Sequence, residues 1–308
     1  MNDSIIIRPL KTHDEFHTCE DVQRAAWHMG QHGEEVPAHM LQAVQWHGGA
    51  VLGAFTPAGE MIGFVFGFLG TGTDEQAAQM GGSPYVHCSH MMGIVPAWQG
   101  RSVGYRLKLA QREHVLAQGL RLIVWTFDPL QSRNARLNIE KLGGICRRYI
   151  RNAYGELDEA INAGLPTDRF ELEWWVDSPR VRARLEQPPR SRALDDWLEA
   201  GAQLVNPSTV RTDGLRGPGR VIPAFEADPI LIEIPGDVNA LKQADMELAR
   251  ACRFHIRELC EQAFGAGYVV SRFVTEGRGP SRRSFYVLER GSVEELVFGE
   301  ERSANRTG

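Results

Sequence analysis

The chain has 308 residues, 34 Lys and Arg against 39 Asp and Glu, and a formal net charge of −5. Its length lies between one large domain and two ordinary ones, and 43% hydrophobic with 24% charged residues is the composition of a globular protein. With no basic surplus to neutralise phosphates, binding driven by counterion release is excluded, and no nucleic-acid partner is expected.

The start, Met1–Lys11, lacks a basic segment followed by an apolar core, so no signal peptide is expected. Ile5–Pro9 reads as a strand, and Asp14–His28 as a helix with Phe16, Val22, Ala25 and Ala26 on one face. A polar loop follows. Its His28, His32, Glu34 and Glu35 have metal-like spacing, but Gly30 and Gly33 break the helix such a site needs, so no metal is expected there. Pro37 opens a second helix to about His47. Ala50–Phe55 and Met61–Leu69 form a hairpin across Thr56–Glu60. Met61–Leu69 is also the longest apolar run, far short of the roughly 20 residues of a membrane helix, and no membrane partner is expected.

Gly70–Ser83 reads as a glycine-rich loop, Tyr85–Val95 as a strand, Gly100–Gln118 as a helix and Arg121–Asp128 as a strand. A helix over Ser132–Leu142 stops at Gly143-Gly144, and strands at Ile145–Tyr154 and Phe170–Val176 follow. A strand hairpin leading into helix-strand-helix-strand predicts an α/β fold with a mixed sheet and helices on both faces. Residues 178–229 carry a short helix at Pro179–Leu185 and otherwise read as a Pro- and Gly-rich connector. A strand-helix-strand-strand unit is expected over 230–298: Ile230–Ile234, one helix from about Asp237 to Phe264, Tyr268–Thr275 and Ser284–Leu288. A polar tail, 299–308, closes the chain. The five cysteines (Cys19, Cys88, Cys146, Cys252, Cys260) are odd in number with no CxxC pair, which points to reduced thiols and a cytoplasmic location.

Chemistry concentrates at Ile94-Val95-Pro96-Ala97-Trp98-Gln99-Gly100-Arg101-Ser102-Val103-Gly104-Tyr105. This segment runs from a strand end through a glycine turn into a helix. The amides of Gln99–Gly104 are expected to lack partners inside the helix and, with its dipole, to form an anion site. Gly100 and Gly104 are expected to let a ligand approach the main chain.

The segment resembles the acyl-CoA-binding motif of the GNAT superfamily of N-acetyltransferases, Gln/Arg-x-x-Gly-x-Gly/Ala. Gln99 and Gly104 match, and Ser102 stands where the first Gly is usual. The resemblance covers Ile5 to about Val176 and implies a GNAT domain over 1–177. It implies that the strand at Tyr85–Val95 and the one at Arg121–Asp128 splay apart. Pantetheine would then pair with Met92, Gly93 and Ile94, and the diphosphate would rest on Gln99, Gly100, Arg101, Ser102, Val103, Gly104 and Tyr105. In the family's second motif Ala135 and Lys141-Leu142-Gly143 match, but Ile139 replaces the Tyr that serves as general acid. Asn134 and Asn138 lie close enough in sequence to bond CoA, and Tyr149 or Tyr154 could supply the missing proton.

A base titrating near neutrality helps an amine attack a thioester. Strand alternation places Cys88, His90 and Met92 on one face and His87 with Ser89 on the other. His90 is the candidate base, unless a bulge reverses the parity in favour of His87. Cys88 with His90 would also allow an acyl-enzyme. The stretches Cys88–Met91, Trp125–Ser132 and Gly164–Trp175 look like a GNAT subgroup of predicted acetyltransferases, some linked with N-acylation of amino acids. That resemblance implies acetyl-CoA or another acyl-CoA as co-substrate, an acetyl or succinyl group, and a small-molecule amine acceptor. Glu34, Glu35 and Asp128 are then candidates for the ammonium, and Arg133 and Arg169 for a carboxylate. Two other readings stand beside this one, a non-catalytic CoA-binding or sensor module and a scaffold whose C-terminal unit binds protein. A homo-oligomer is compatible with all three.

Overall fold

A computed structural model describes residues 4–27, 35–155, 164–187, 192–222 and 225–299. The His28–Glu34 loop, the tail beyond 299 and the other residues outside these ranges are not described. Backbone contacts group the chain into two compact units, the first running to Trp125 and the second from Thr126 onward.

In the first unit β1 (Ile6–Pro9), β2 (Ala50–Phe55), β3 (Met61–Thr71) and β4 (Tyr85–Ile94) form an antiparallel run, and β5 (Leu122–Phe127) starts beside β4 in parallel. The helices α1 (His13–Trp27) and α2 (Ala38–Trp46) cover one face of this sheet. There Phe16, Cys19, Val22 and Leu41 pack on Val51, Phe55, Phe64 and Phe66. The helix α4 (Val103–Ala117) covers the other face, with Val103 and Leu107 against Leu52, Ala54, Ile62 and Val65. The whole of β2 and the first seven residues of β3 are buried. Cover on both faces is why these segments read as unbroken apolar runs rather than alternating ones. The expected α/β class and mixed sheet are what the fold shows.

Within Gly70–Ser83, expected to be a loop, lies a short helix, α3 (Asp74–Gln79). Thr73 Oγ1 accepts from the Gln76 amide (3.2 Å) and Gln76 Oε1 accepts from the Thr73 amide (3.0 Å). This Thr-x-x-Gln capping box is visible in the sequence, but the surrounding glycines masked it.

The second unit has its own strands in the order β7 (Arg169–Trp175), β6 (Ile145–Ile150), β12 (Tyr268–Glu276), β13 (Arg283–Arg290), β11 (Ile230–Ile234) and β8 (Gln203–Leu204). All these pairings are antiparallel except β8 on β11. The short helix expected at Pro179–Leu185 is α6 (Pro179–Glu186), and the rest of the segment expected to be a connector supplies an edge strand, α7 (Leu194–Glu199) and a two-strand ribbon of β9 (Thr209–Val210) with β10 (Arg216–Gly217). Phe170 anchors the core, with Tyr286, Phe264, Tyr149 and Phe127 at ring-centroid distances of 5.2, 5.5, 5.7 and 5.9 Å.

The single long helix expected from Asp237 to Phe264 is two, α8 (Val238–Ala244) and α9 (Met246–Gly265). The chain turns extended at Asp245 (φ −157°, ψ 98°), whose carboxylate caps α9 by accepting from the Leu248 amide at 2.9 Å. Replacing Asp245 by Ala should destabilise the protein by about 1 kcal/mol in chemical denaturation, and Asn should retain most of that. Equal stability of the Ala variant would show that the break has another cause.

Candidate functional site

The strand β4 departs from regular pairing in two ways. Its register with β5 runs only through His87↔Ile123 and Cys88↔Val124, so from Ser89 onward β5 does not accompany it within the first unit. On its other side β3 pairs Gly67 with Ser89 and Phe66 with Met91, leaving His90 without a partner residue as a β-bulge. The two features together are a fork with a kinked inner strand, the splay that the family resemblance implied.

The bulge changes the side-chain parity. His90 packs its ring against Phe66 (5.9 Å) and Phe68 (6.1 Å), and Met91 joins the core under α1 and α2. Met92 and Ile94 join the core under α4. The expectation that His90 and Met92 share a face is therefore corrected: Met92 lies with the α4-side core, where the ring of His87 and the hydroxyl of Ser89 also bond Gln111 and Lys108 of α4. Parity reversal does not promote His87, however. It is 1% exposed, and burial, with Lys108 and His114 adding to it, pulls its pKa down to about 3. His90 is exposed, its pKa is lowered by partial loss of solvent, and its ring accepts no hydrogen bond among the described residues. It is a neutral imidazole at the bulge, exposed to solvent. Cys88 is half-buried on the same strand.

Beyond β4 the chain makes a 3₁₀ turn at Pro96–Trp98, and Gln99 Nε2 donates back to the Ile94 carbonyl at 3.2 Å. Gly100 (φ 79°) and Ser102 (φ 62°) are both left-handed. The helix begins at Val103, later than the Gly100 expected, because two left-handed residues cannot lie within it. No side chain caps it, and its first bond runs from the Arg106 amide to the Ser102 carbonyl at 3.1 Å. The amides of Val103 and Gly104 thus open the helix toward the loop, beside Arg101, whose guanidinium lies 4.9 Å over the Trp98 ring. A serine holds the conformation for which the family motif uses glycine. Gly104 also has a packing role: a Cβ there would meet Ile94 Cδ1 at 3.1 Å and Met92 Cε at 3.3 Å. Glycine at 104 lets α4 approach the end of β4.

Sequence reading missed the group beneath the fork. Lys108 is 2% exposed; its Nζ donates to Ser89 Oγ (2.8 Å) and Gln111 Oε1 (3.1 Å) and lies 3.5 Å from the centroid of Trp125. Gln111 Nε2 meets His87 Nε2 at 3.0 Å. Burial holds the Lys108 pKa well below its ordinary value. The signal was present in the helix period: Val103, Leu107, Gln111 and Val115 form one buried stripe, and Lys108 lies beside it.

Gly93 is buried on β4 and Tyr105 half-buried on the first turn of α4. The other expected residues belong to the second unit, except Glu35 and Glu34. Glu35 accepts from Arg24 at 2.8 Å, and Glu34 lies outside the described residues. The carboxylate of Asp128 already accepts from Arg253 (2.7 Å) and the Leu130 amide (2.8 Å). Arg169 is buried, donating to the Asp168 carbonyl at 3.0 Å and lying 5.2 Å over Tyr154. Asp168 is fully buried; burial pushes its carboxyl up, but two bonds from Arg257 (2.7 and 2.8 Å) with those from Asn152 and Tyr149 outweigh it and hold the pKa low. Tyr149 donates to Asp168 at 2.7 Å, and burial together with that bond raises its pKa, which corrects the expectation that it is a ready proton donor. Asn138 is buried and Asn134 and Arg133 are exposed, on a first turn α5 (Ser132–Ala135) and a π-helical continuation, Arg136–Lys141. Ile139 is fully buried there.

Ser102→Gly should stabilise the protein by about 0.5–1 kcal/mol, the left-handed penalty less the backbone entropy of glycine. Ser102→Val should destabilise it by about 1 kcal/mol or more, since a branched side chain tolerates φ 62° poorly. Unchanged thermal unfolding in both would contradict the loop conformation.

No family model matches the chain, and no curated protein matches it in sequence. Solved structures do. NAA60 of Arabidopsis thaliana in complex with a bisubstrate analogue is 14% identical over 56% of this chain and 99% of that one, with a TM-score of 0.45. The ribosomal-protein-S18-alanine N-acetyltransferase of Escherichia coli is 14% identical over 56% and 94%, with a TM-score of 0.41. A GNAT family acetyltransferase of Brucella melitensis in complex with acetyl-CoA is 17% identical over 43% and 82%, with a TM-score of 0.33. Identities of 14–17% and TM-scores of 0.33–0.45 leave the functional reading to this chain's own residues. Two of these three structures are acetyltransferases, one of them of the GNAT family.

Proposed function

We propose that this chain is an acyl-CoA-dependent N-acyltransferase of the GNAT superfamily. One observation carries the reading: β4 leaves β5 after Cys88, bulges at His90, and runs through a left-handed loop into an uncapped helix. The edge of β4 at Met92–Ile94 suits an extended amide-bearing arm, which would add to it as a strand does. The Val103 and Gly104 amides, the helix dipole and Arg101 suit a diphosphate. These residues therefore fit CoA, which would supply an activated thioester. No cluster of metal-ligating side chains occurs among the described residues.

In this reading His90 takes the proton that the acceptor amine sheds as it attacks. The acceptor is a small-molecule amine, an amino acid within that class, and the acyl group is acetyl or succinyl. Arg133, exposed on α5, is the candidate for an acceptor carboxylate. Asp128 and Arg169 would first have to release Arg253 and the Asp168 carbonyl. The second reading, a CoA-binding sensor, is favoured by Ile139, which puts a buried alkyl group where the family has a phenol. Free CoA released in a panel of acetyl-CoA and succinyl-CoA against amino acids, aryl amines and a lysine peptide separates the two. Turnover with an amino acid supports the first reading, and binding without turnover supports the second.

CoA should raise the melting temperature in proportion to its logarithmic excess over Kd. Arg101→Glu should weaken CoA at least about tenfold, the scale of one lost charge-assisted contact. An absent shift in the unaltered protein would end the acyl-CoA reading. His90→Ala should lower turnover roughly 10²-fold while the CoA shift persists. A base works deprotonated, and the pKa of His90 is lowered, so activity should hold at pH 6.5 and fall only below it. That acid limb should vanish in His90→Ala; its survival would remove His90 from the mechanism.

A further inference from the structure

Lys108 sits at the apex of the fork. The last residues paired between β4 and β5 are Cys88 and Val124, and Lys108 touches the next residue on each strand, Ser89 and Trp125. It is a buried cation with no carboxylate partner among the described residues. Its three contacts, Ser89 Oγ, Gln111 Oε1 and the Trp125 ring face, match the three N–H bonds of an ammonium. Burying such a charge without a counter-charge is costly. Negative charge that develops at the fork during a reaction would relieve that cost.

We propose that Lys108, acting through the Ser89 hydroxyl, supplies the proton to the thiolate that departs when the acyl group is transferred. The inference rests on the acyl-CoA reading, which brings the thioester to the edge of β4 that β5 leaves. As the acceptor nitrogen bonds the acyl carbon, the C–S bond breaks and sulfur keeps the electron pair. Ser89, whose hydroxyl donates to Gln111 Oε1 at 3.0 Å before the reaction, turns that proton to the sulfur and accepts one from Lys108 Nζ, which is left a neutral amine. The amine nucleophile has meanwhile shed one proton, so one returns to Lys108 from solvent and the count closes. This role answers the absence of a phenol at Ile139.

The groups around Lys108 suit it. From β4 it faces His87 and Cys88, and from α4 His114 bears on His87 at 6.3 Å. His87 is neutral, since burial takes its pKa to about 3, and its ring nitrogen accepts from Gln111, so it does not compete for the Lys108 proton. Burial also lowers the Lys108 pKa from its ordinary value, which makes its ammonium a readier proton donor. Lys108 is thus a positioning residue that acts through Ser89.

The test is the thiolate absorbance of bound CoA, followed against pH in the unaltered protein, Lys108→Met and Ser89→Ala, with a CoA melting shift measured for each. In the unaltered protein the bound thiol should ionise about one unit or more below free CoA, the effect of a neighbouring cation. In Lys108→Met the lowering should disappear, and in Ser89→Ala it should shrink. A bound thiol in the unaltered protein that titrates as free CoA does would overturn the proposal and leave the acyl-CoA reading standing, because the melting shift would persist. So would a full lowering retained in Lys108→Met. If Lys108→Met fails to fold, Ser89→Ala and the unaltered protein decide the matter. No melting shift in the unaltered protein would take both readings down together.

Discussion

Backbone amides and carbonyls removed from water must find partners, and β4 loses its neighbour at Ser89. Much of what distinguishes the first unit follows from that parting. The bulge at His90 bends the strand where the second neighbour stops. The strand then ends in a loop whose left-handed residues turn the chain sharply into α4. Gly104 lets that helix close onto Met92 and Ile94, so the free strand edge and the helix start lie within one short stretch of chain. A ligand with extended amides at one end and phosphates at the other satisfies both, and this is the physical content of the acyl-CoA reading.

The electrostatics of the two units differ in kind. In the second unit two buried carboxylates are paired with arginine: Asp168 takes two bonds from Arg257, and Glu233 takes two from Arg283, both at 2.9 Å. Pairs of this geometry hold their carboxyl pKa values low and act as fixed parts of the fold. Lys108 in the first unit has hydroxyl, amide and aromatic partners in place of a carboxylate. Perturbed groups gather at functional sites because chemistry needs them poised, and the lysine at the fork has that character.

The sheet, both covering layers and most strand positions of the first unit were legible because long apolar runs and helical stripes report burial directly. The turn into the helix was legible from Gln99–Gly104, although the packing of Gly104 on β4 was not: spacing does not say which way a missing Cβ would point. Strand parity failed at Met92, because one inserted residue reverses every side chain beyond it and no periodicity marks the insertion. The helix break at Asp245 was written as an N-cap residue inside a continuous apolar period, and the period won the reading. Asp128 and Arg169 looked like ligand groups since their partners, Arg253 and a main-chain carbonyl, are tertiary contacts. Lys108 was passed over for the opposite reason: a lysine in a helix is ordinarily solvated.

Amide hydrogen exchange, with and without CoA, tests the central claim most directly, because it asks which backbone groups a ligand covers. CoA should slow exchange in two stretches, Ser89–Val95 on the abandoned edge of β4 and Gly100–Arg106 at the loop and helix start, with the second unit's β11–β13 core unchanged. Protection confined to other segments, or none at saturating CoA, would contradict the account.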